Sequence, residues 1–528
     1  MPVLVSEISA NVKTDEKAVI GIALKRIPVA REDIVKAEIY KTSLDARKRD
    51  NIHFVHTVYV QLSSQEKEKE LCDKYPALKY MENSRLNPVI SKNKKDGRVV
   101  IAGFGPAGMF CGLVLAEYGY KPIIVERGEK VEDRIQKVSS FWNGGELDTD
   151  SNVQFGEGGA GTFSDGKLTT RIKDPLCRYI LERFVEFDAP EEILFKAKAH
   201  VGTDKLRNVV KNISERILTL GGEIKFSTKL EDVSIKDNEV KLITAGGEEI
   251  SSSAIVLAVG HSARDTFEML VDKGVFIEPK AFSVGARIEH KQSDVDFSLY
   301  GKQVGNPYLP KGEYQLSYRD REGRGVYTFC MCPGGYVVPA ASEAGGVVTN
   351  GMSEFARDGE NANSAVVVSV TPKDFGNNPL DGVNFAREIE QKAYAKTKGS
   401  YKAPATSVKR FMRYDKSISK VMPSYSRGVE FCGLDGIFPE KITNTMKVGI
   451  RYFGGKMSCF DDGGAILTGP ETRTSSPVKI TRNENGTSIT ATNLYPCGEG
   501  AGYAGGIMSS AVDGVKIALK IMESIAPQ

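Results

Sequence analysis

The sequence predicts an α/β protein: a Rossmann-like parallel sheet, interrupted by a β-rich insert and preceded by a small α+β module. Three observations carry this. Arg98-Val-Val-Ile-Ala102 reads as a short buried strand that runs into a Gly-x-Gly-x-x-Gly turn, a helical pattern and a second apolar strand. Roughly 400 residues later, Leu494 to Ile507 repeats the order strand, Gly-rich turn, helix. Between them, residues 266–455 are rich in strand-like runs (Phe282–Ile288, Gly325–Cys332, Tyr336–Pro339, Ala365–Val370).

Length and composition bound the remaining choices. At roughly 150 residues per domain, 528 residues are too many for one core. Apolar residues at 41%, charged residues at 26% and a net charge of +3 describe a soluble globular chain. No apolar stretch approaches the ~18 residues of a membrane span. The start, MPVLVSEISANVKTDE, shows no secretory pattern, and the eight cysteines form no CxxC pair, so a cytoplasmic protein with reduced thiols is expected. Residues 1–97 hold 18 Lys/Arg and 14 Asp/Glu, an excess too small and scattered for a nucleic-acid partner; its densest part, Lys41–Asp50, reads as a solvated loop. The expected partner is a small-molecule substrate.

Taken in order, residues 1–90 form a β-α-β-β-α module. A strand over 3–8 precedes a helix over Asp15–Arg26, with Thr14 as N-cap, and strands Ile34–Tyr40 and His53–Leu62 precede a helix opened by Ser63 and Glu66. His53 and His56 fall on opposite faces of their strand and are poor joint metal ligands; no metal site is expected. Asn87–Gly97 is the linker. Residues 97–265 begin the dinucleotide-binding unit. Gly103 makes its tight turn, Gly105 lets backbone N–H groups approach a pyrophosphate, and Gly108 lets the helix pack on the strand. Glu126 ends the second strand, placed to accept from ribose hydroxyls. A Gly-rich loop, Phe155–Lys167, follows. A helix from Thr203 to Leu220 stops at Gly221-Gly222, and strand-like runs lead to Ala254–Gly260. Residues 456–528 close the unit with a helix whose Val512, Val515, Leu519 and Met522 form one stripe. Its Gly-flanked start suits a flavin pyrimidine edge that becomes anionic on reduction. The other Gly-x-Gly-x-x-Gly strings, at 156–161 and 500–505, lie inside the two Gly-rich passages already assigned to the same nucleotide, and there is no CxxC pair, which excludes a disulfide reductase.

The passages VIAGFGPAGMFCGLVLAEYGYKPIIVERG, NVQFGEGGAGTFSDGKLTTR, HVGTDKL, AIVLAVGHSARDT, FSVGARIEH, FCMCPGGYVV, ETRTSSPV and LYPCGEGAGYAGGI resemble the two-dinucleotide-binding-domain flavoproteins of the glutathione-reductase and p-hydroxybenzoate-hydroxylase type. Within these the chain is most similar to a bacterial family of uncharacterised FAD-dependent, or NAD-utilising, dehydrogenases. The resemblance implies bound FAD. Gly103, Gly105, Pro106, Ala107, Gly108, Glu126 and Arg127 would hold the ADP half, and Gly158, Gly159, Ala160 and Gly161 would run beside the isoalloxazine. Gly260 would return the chain to the nucleotide, and Gly498, Glu499, Gly505, Gly506 and Ile507 would meet the ribityl chain and pyrimidine edge. Glu499 stands where the superfamily usually has Asp. The implied function is an FAD-dependent dehydrogenase or reductase passing hydride through the flavin, with NAD(P)H as a transient donor. The alternatives are a flavin monooxygenase, or a flavin-binding sensor or adaptor whose N-terminal module docks RNA or protein.

The catalytic candidates are few. Cys330 and Cys332 lie two apart in a strand, with Cα atoms about 6.6–6.8 Å apart at strand rise, the edge of disulfide reach, so a regular CxC disulfide is not expected. A strand ending in a Cys332-Pro-Gly-Gly335 turn is expected, with a hairpin lining the flavin face as the alternative. Cys497 reads as a small apolar filler. His261 and His290 are candidate proton donors, against a structural role for each. Arg287, Arg451 and Arg473 are candidate clamps for a carboxylate or phosphate. Arg473 is favoured because the resemblance includes its motif, with a surface loop as the alternative.

Overall fold

The structure, a computed structural model, describes residues 2–81, 85–413, 421–460 and 464–527. Its central sheet is parallel in the order Glu223–Lys225, Ile123–Val125, Arg98–Ala102, Glu248–Leu257, Leu494–Pro496. Strand Glu248–Leu257 changes partners along its length. Ser252–Leu257, buried throughout and apolar from Ala254, lies in the parallel sheet, whereas Glu248–Ser251 pairs antiparallel with Glu239–Ala245 to form a three-stranded meander with Leu230–Lys236. Helix Pro106–Glu117 is buried from Ala107 to Ala116 because helices Thr203–Thr219 and Ile507–Ser524 enclose it against the sheet. Gly514 makes the helix crossing close: a Cβ there would overlap the Ala107 carbonyl oxygen.

A second sheet runs Ser317–Arg319, Gly325–Cys332, Asn361–Val370, Phe282–Lys291, Ile466–Glu471, Ala403–Ser407, Val429–Glu430. Val284, Ala286 and Ile288 face helices Asp381–Lys396 and Glu440–Gly454, and the alternate positions Ser283, Arg287 and Glu289 are buried and polar. Its limits differ from the expected divisions at 266 and 455. Phe267, Leu270 and Ile277 pack in the core of the parallel sheet, and Ile277–Pro279 pairs with Val478–Ile480 on that side. Ile466–Glu471, assigned from sequence to the closing segment, is an interior strand of the second sheet. Its Gly469-Pro470 pair disguised it, since such residues demote a strand pattern.

The N-terminal module is a four-stranded sheet, Ile34–Asp45, His53–Leu62, Val3–Asn11, Leu78–Tyr80, whose last strand the sequence reading lacks. Its helices are capped one residue later than expected, by Asp15 and Ser64. His56 bonds Thr42 and His53 bonds the Asn51 carbonyl, so they do not converge. The module joins both larger units. The Thr42 N–H donates to Phe195 O (2.6 Å) and the Ala197 N–H donates to Thr42 O (2.8 Å). Arg49 donates to Ser298 O (2.6 Å), and Val12, Ile52 and Tyr300 form one apolar cluster. The edge strand Ile34–Asp45 is thus tied to the rest of the chain at Thr42. Deleting residues 1–90 is therefore expected to lower the melting temperature and strip most bound cofactor, measured by absorbance after gel filtration. Unchanged cofactor content with loss of a partner would favour docking. Among the described residues, no helix is long and apolar enough to cross a membrane.

Candidate functional site

A cavity of about 1460 Å³ lies between the parallel sheet and the second sheet. The first turns of helices Pro106–Glu117 and Ile507–Ser524 both open onto it through Pro106, Ala107, Ile507 and Met508. Neither N-cap, Gly105 nor Gly506, has a capping side chain, so unpaired N–H groups and two positive dipole ends meet in one space. Gly103 has φ 101°, and a Cβ there would overlap the Ala258 carbonyl oxygen, so strand approach alone demands glycine. Gly105 and Gly505 differ. A Cβ on Gly105 would come no closer to protein than 3.8 Å, and one on Gly505 would meet nothing within 4 Å. No protein packing demands their bareness, which keeps the wall open to something else.

The remaining residues of the dinucleotide turn set the floor. Glu126 is buried and accepts from the N–H groups of Phe104 (2.7 Å), Gly128 (3.0 Å) and Gly156 (2.9 Å) while bordering the cavity. Arg127 also borders it but is held by Asp265 and Thr266 and stacked over Phe155. Gly159, Ala160, Gly161 and Gly260 form wall, whereas Gly108, Gly158 and Gly498 lie behind it. Two supporting residues escaped the sequence reading. Arg134, fully buried, donates to the carbonyls of Asn152 (2.8 Å), Val153 (3.0 Å), Glu157 (2.7 Å) and Gly159 (2.9 Å), pinning the Gly-rich loop by four bonds; burial draws its pKa down to about 9. Asp513 accepts from the Gly498 N–H (2.7 Å) and takes a bidentate pair from Arg482, fixing the last turn onto the last helix. A lone acid beside an apolar helical stripe was its sequence signal.

Glu499 is half-buried in the wall, and burial pushes its pKa up to about 7 despite Lys280 nearby. His261 also borders the cavity, its Nδ1 2.9 Å from Ser262 Oγ; burial, then the Arg473 and Arg264 charges, hold its pKa down to about 3, so it is neutral at physiological pH. His290 is not in the wall. Its Nδ1 faces Cys459 O (2.9 Å) and must carry the proton, leaving Nε2 to accept from Tyr314 (3.0 Å), a residue that does border the cavity. Burial holds His290 down to about 4, which makes it a support for Tyr314 and not a proton donor.

The three arginines separate. Arg287 is fully buried in a bidentate pair with Glu471 (2.8 and 2.7 Å) and bonded to Asn363, so it is committed to the sheet. Arg451 lies exposed on helix Glu440–Gly454, away from the cavity. Arg473 is no surface loop. It is buried beside the cavity, with Nε and Nη2 on Glu390, which Arg264 grips too, and Nη1 without a hydrogen-bond partner. Cys330 borders the cavity, Cys332 is buried behind it, and Cys497 is sealed in the core. Among the described residues no cluster could hold a metal ion.

Residues 281–474, essentially the second sheet and its helices, match the family model described as "FAD-dependent protein, C-terminal domain-like", and residues 3–61 match a domain of unknown function, DUF8436. An uncharacterized protein of Clostridium beijerinckii is 46% identical over 530 residues, covering 99% of each chain. The chain belongs to that protein's family. Among solved structures it is similar to glycine oxidase from Bacillus cereus (11% identical, 81% of this chain and 95% of that one, TM-score 0.34). It is also similar to a geranylgeranyl bacteriochlorophyll reductase-like protein from Thermoplasma acidophilum (13% identical, 80% and 78%, TM-score 0.34). At these scores the fold assignment rests on the strand order.

Proposed function

We propose that the cavity holds FAD and that the protein is an FAD-dependent oxidoreductase of the dehydrogenase or reductase kind, acting on a small molecule. The observation that carries this is the meeting of two uncapped helix starts at one cavity whose glycines 105 and 505 are bare for no reason of packing. The match of residues 281–474 to a FAD-dependent family model supports it independently. When bound, FAD supplies the two-electron chemistry. The chain's own residues do the rest. The start of helix Pro106–Glu117 receives the pyrophosphate, and Glu126, with three N–H groups already on its two oxygens, keeps acceptor capacity for a ribose hydroxyl. The start of helix Ile507–Ser524 offers N–H donors where negative charge develops on reduction. Glu499, its pKa pushed up to about 7 by burial, is suited to proton exchange at this wall, whereas His261, held down to about 3, is suited to hydrogen bonding as the neutral imidazole.

We propose NAD(P)H as a transient electron donor, a reading that rests on the family resemblance alone. The test is the visible spectrum under argon with NADH and then NADPH. Bleaching by either nucleotide supports this donor, and rapid substrate-stimulated oxygen uptake with a hydroxylated product would reassign the enzyme as a monooxygenase.

A further inference from the structure

The second wall carries a cysteine pair that the function above does not use. Strand Gly325–Cys332 pairs with Asn361–Val370 as far as Phe329 opposite Ala365, then resumes at Cys332 opposite Asn363, so Cys330 and Met331 together face one residue. Cys330 takes φ 45°, a left-handed conformation rare outside Gly, Asn and Asp. The extended spacing assumed from sequence therefore does not apply to this pair. Two cations pin the bulge: Arg287 Nη1 donates to Cys330 O (3.0 Å), and Lys167 Nζ donates to Met331 O. Cys330 borders the cavity. Cys332 lies directly behind, its Sγ 3.3 Å from Cys330 O and 3.9 Å from Arg287 Nη1.

The surroundings favour thiol chemistry at Cys330. The adjoining Cys332 thiol, followed by the Arg287 and Lys167 charges, holds the Cys330 thiol below the ordinary cysteine range, while Cys332 is pushed up. Glu499, in the wall that receives the flavin, is near enough for a charge on Cys330 to bear on its carboxyl. Cys111 and Cys497 are also neighbours, but both are buried in the apolar core and neither borders the cavity.

We propose that Cys330 and Cys332 are a redox-active dithiol that exchanges two electrons with flavin bound in the same cavity. This rests on the FAD reading above. Two S–H bonds break and one S–S bond forms; the electron pair and both protons pass to the oxidised flavin, which is thereby reduced by two electrons, and the reverse transfer restores the thiols. In air the flavin is reoxidised by oxygen, so the pair accumulates as the disulfide.

The test is a thiol count joined to a reductive titration of the holoprotein. The chain has eight cysteines. Air-equilibrated protein, unfolded under argon and reacted with a thiol dye, should show about six thiols (eight minus two) and about eight after dithionite. The anaerobic titration should consume about two two-electron equivalents per flavin instead of one, and peptide mapping should place the disulfide within Gly325–Cys332. Cys330→Ser should show the same thiol count before and after reduction and consume one equivalent; should it fail to fold, the count on the native chain decides alone. Yellow protein with eight thiols in air and one equivalent per flavin would overturn this proposal alone. Protein that binds no FAD would remove the electron acceptor and overturn both readings.

Discussion

Gly105→Val should give a folded, colourless protein. The backbone at Gly105 has φ −77° and ψ −176°, which valine adopts readily, and a Cβ there would sit 3.8 Å from the nearest protein atom, the Cα of Gly159. Valine is a poorer N-cap than glycine, a cost of about 1 kcal/mol that leaves the fold intact. What valine does fill is the space in front of the first N–H groups of helix Pro106–Glu117. FAD affinity should fall by a factor of about 100 or more, equivalent to about 3 kcal/mol, while far-UV dichroism stays as in the native chain. Gly108 provides the contrast. Its Cβ would overlap the Gly103 carbonyl oxygen, so Gly108→Ala should damage the fold itself. Stoichiometric FAD on Gly105→Val would show that the cofactor site lies elsewhere.

Arg134→Met should be the most damaging single change to the Gly-rich loop. The substitution keeps much of the stem but removes the Arg134 donor from the carbonyls of Asn152, Val153 and Gly159, and leaves Glu157 O with the Thr162 hydroxyl alone. Each buried, unpaired group costs about 1–3 kcal/mol, so a loss of about 3 kcal/mol or more is expected. Gly159, Ala160 and Gly161 form cavity wall, and their release should lower FAD retention more than tenfold and open the loop to limited proteolysis. Arg134→Lys should rescue poorly, since one ammonium cannot reproduce a planar fork serving four acceptors. Native proteolytic resistance and FAD content in Arg134→Met would show that the loop is held by other contacts.

Legibility in the sequence followed the range of each signal. The turn from Arg98 to Glu126 and the strand and helix from Leu494 are local patterns, in which glycine spacing and an apolar run stand side by side, so both could be read directly. Arg134 could not, because on helix Val131–Trp142 it looks like any surface charge until the loop at 152–159 folds back over it. Arg473 was a candidate for the right neighbourhood, but its grip on Glu390, 83 residues upstream, depends on the second sheet being assembled. His290 and Arg287 attracted attention by residue type, and only packing shows that their polar atoms are spent inside the protein. The bulge at Cys330 has no sequence mark at all, since cysteine is an unusual residue for a left-handed position. The division at 455 failed because a Gly-Pro pair hid an interior strand.

The measurement that bears most directly on the whole account is the visible spectrum of the purified chain, recorded under argon alone, then with NADH and NADPH, together with the FAD released on denaturation. A flavin spectrum, about one FAD per chain and bleaching by one of the nucleotides are expected. A colourless protein that takes up no FAD on reconstitution would contradict the FAD reading.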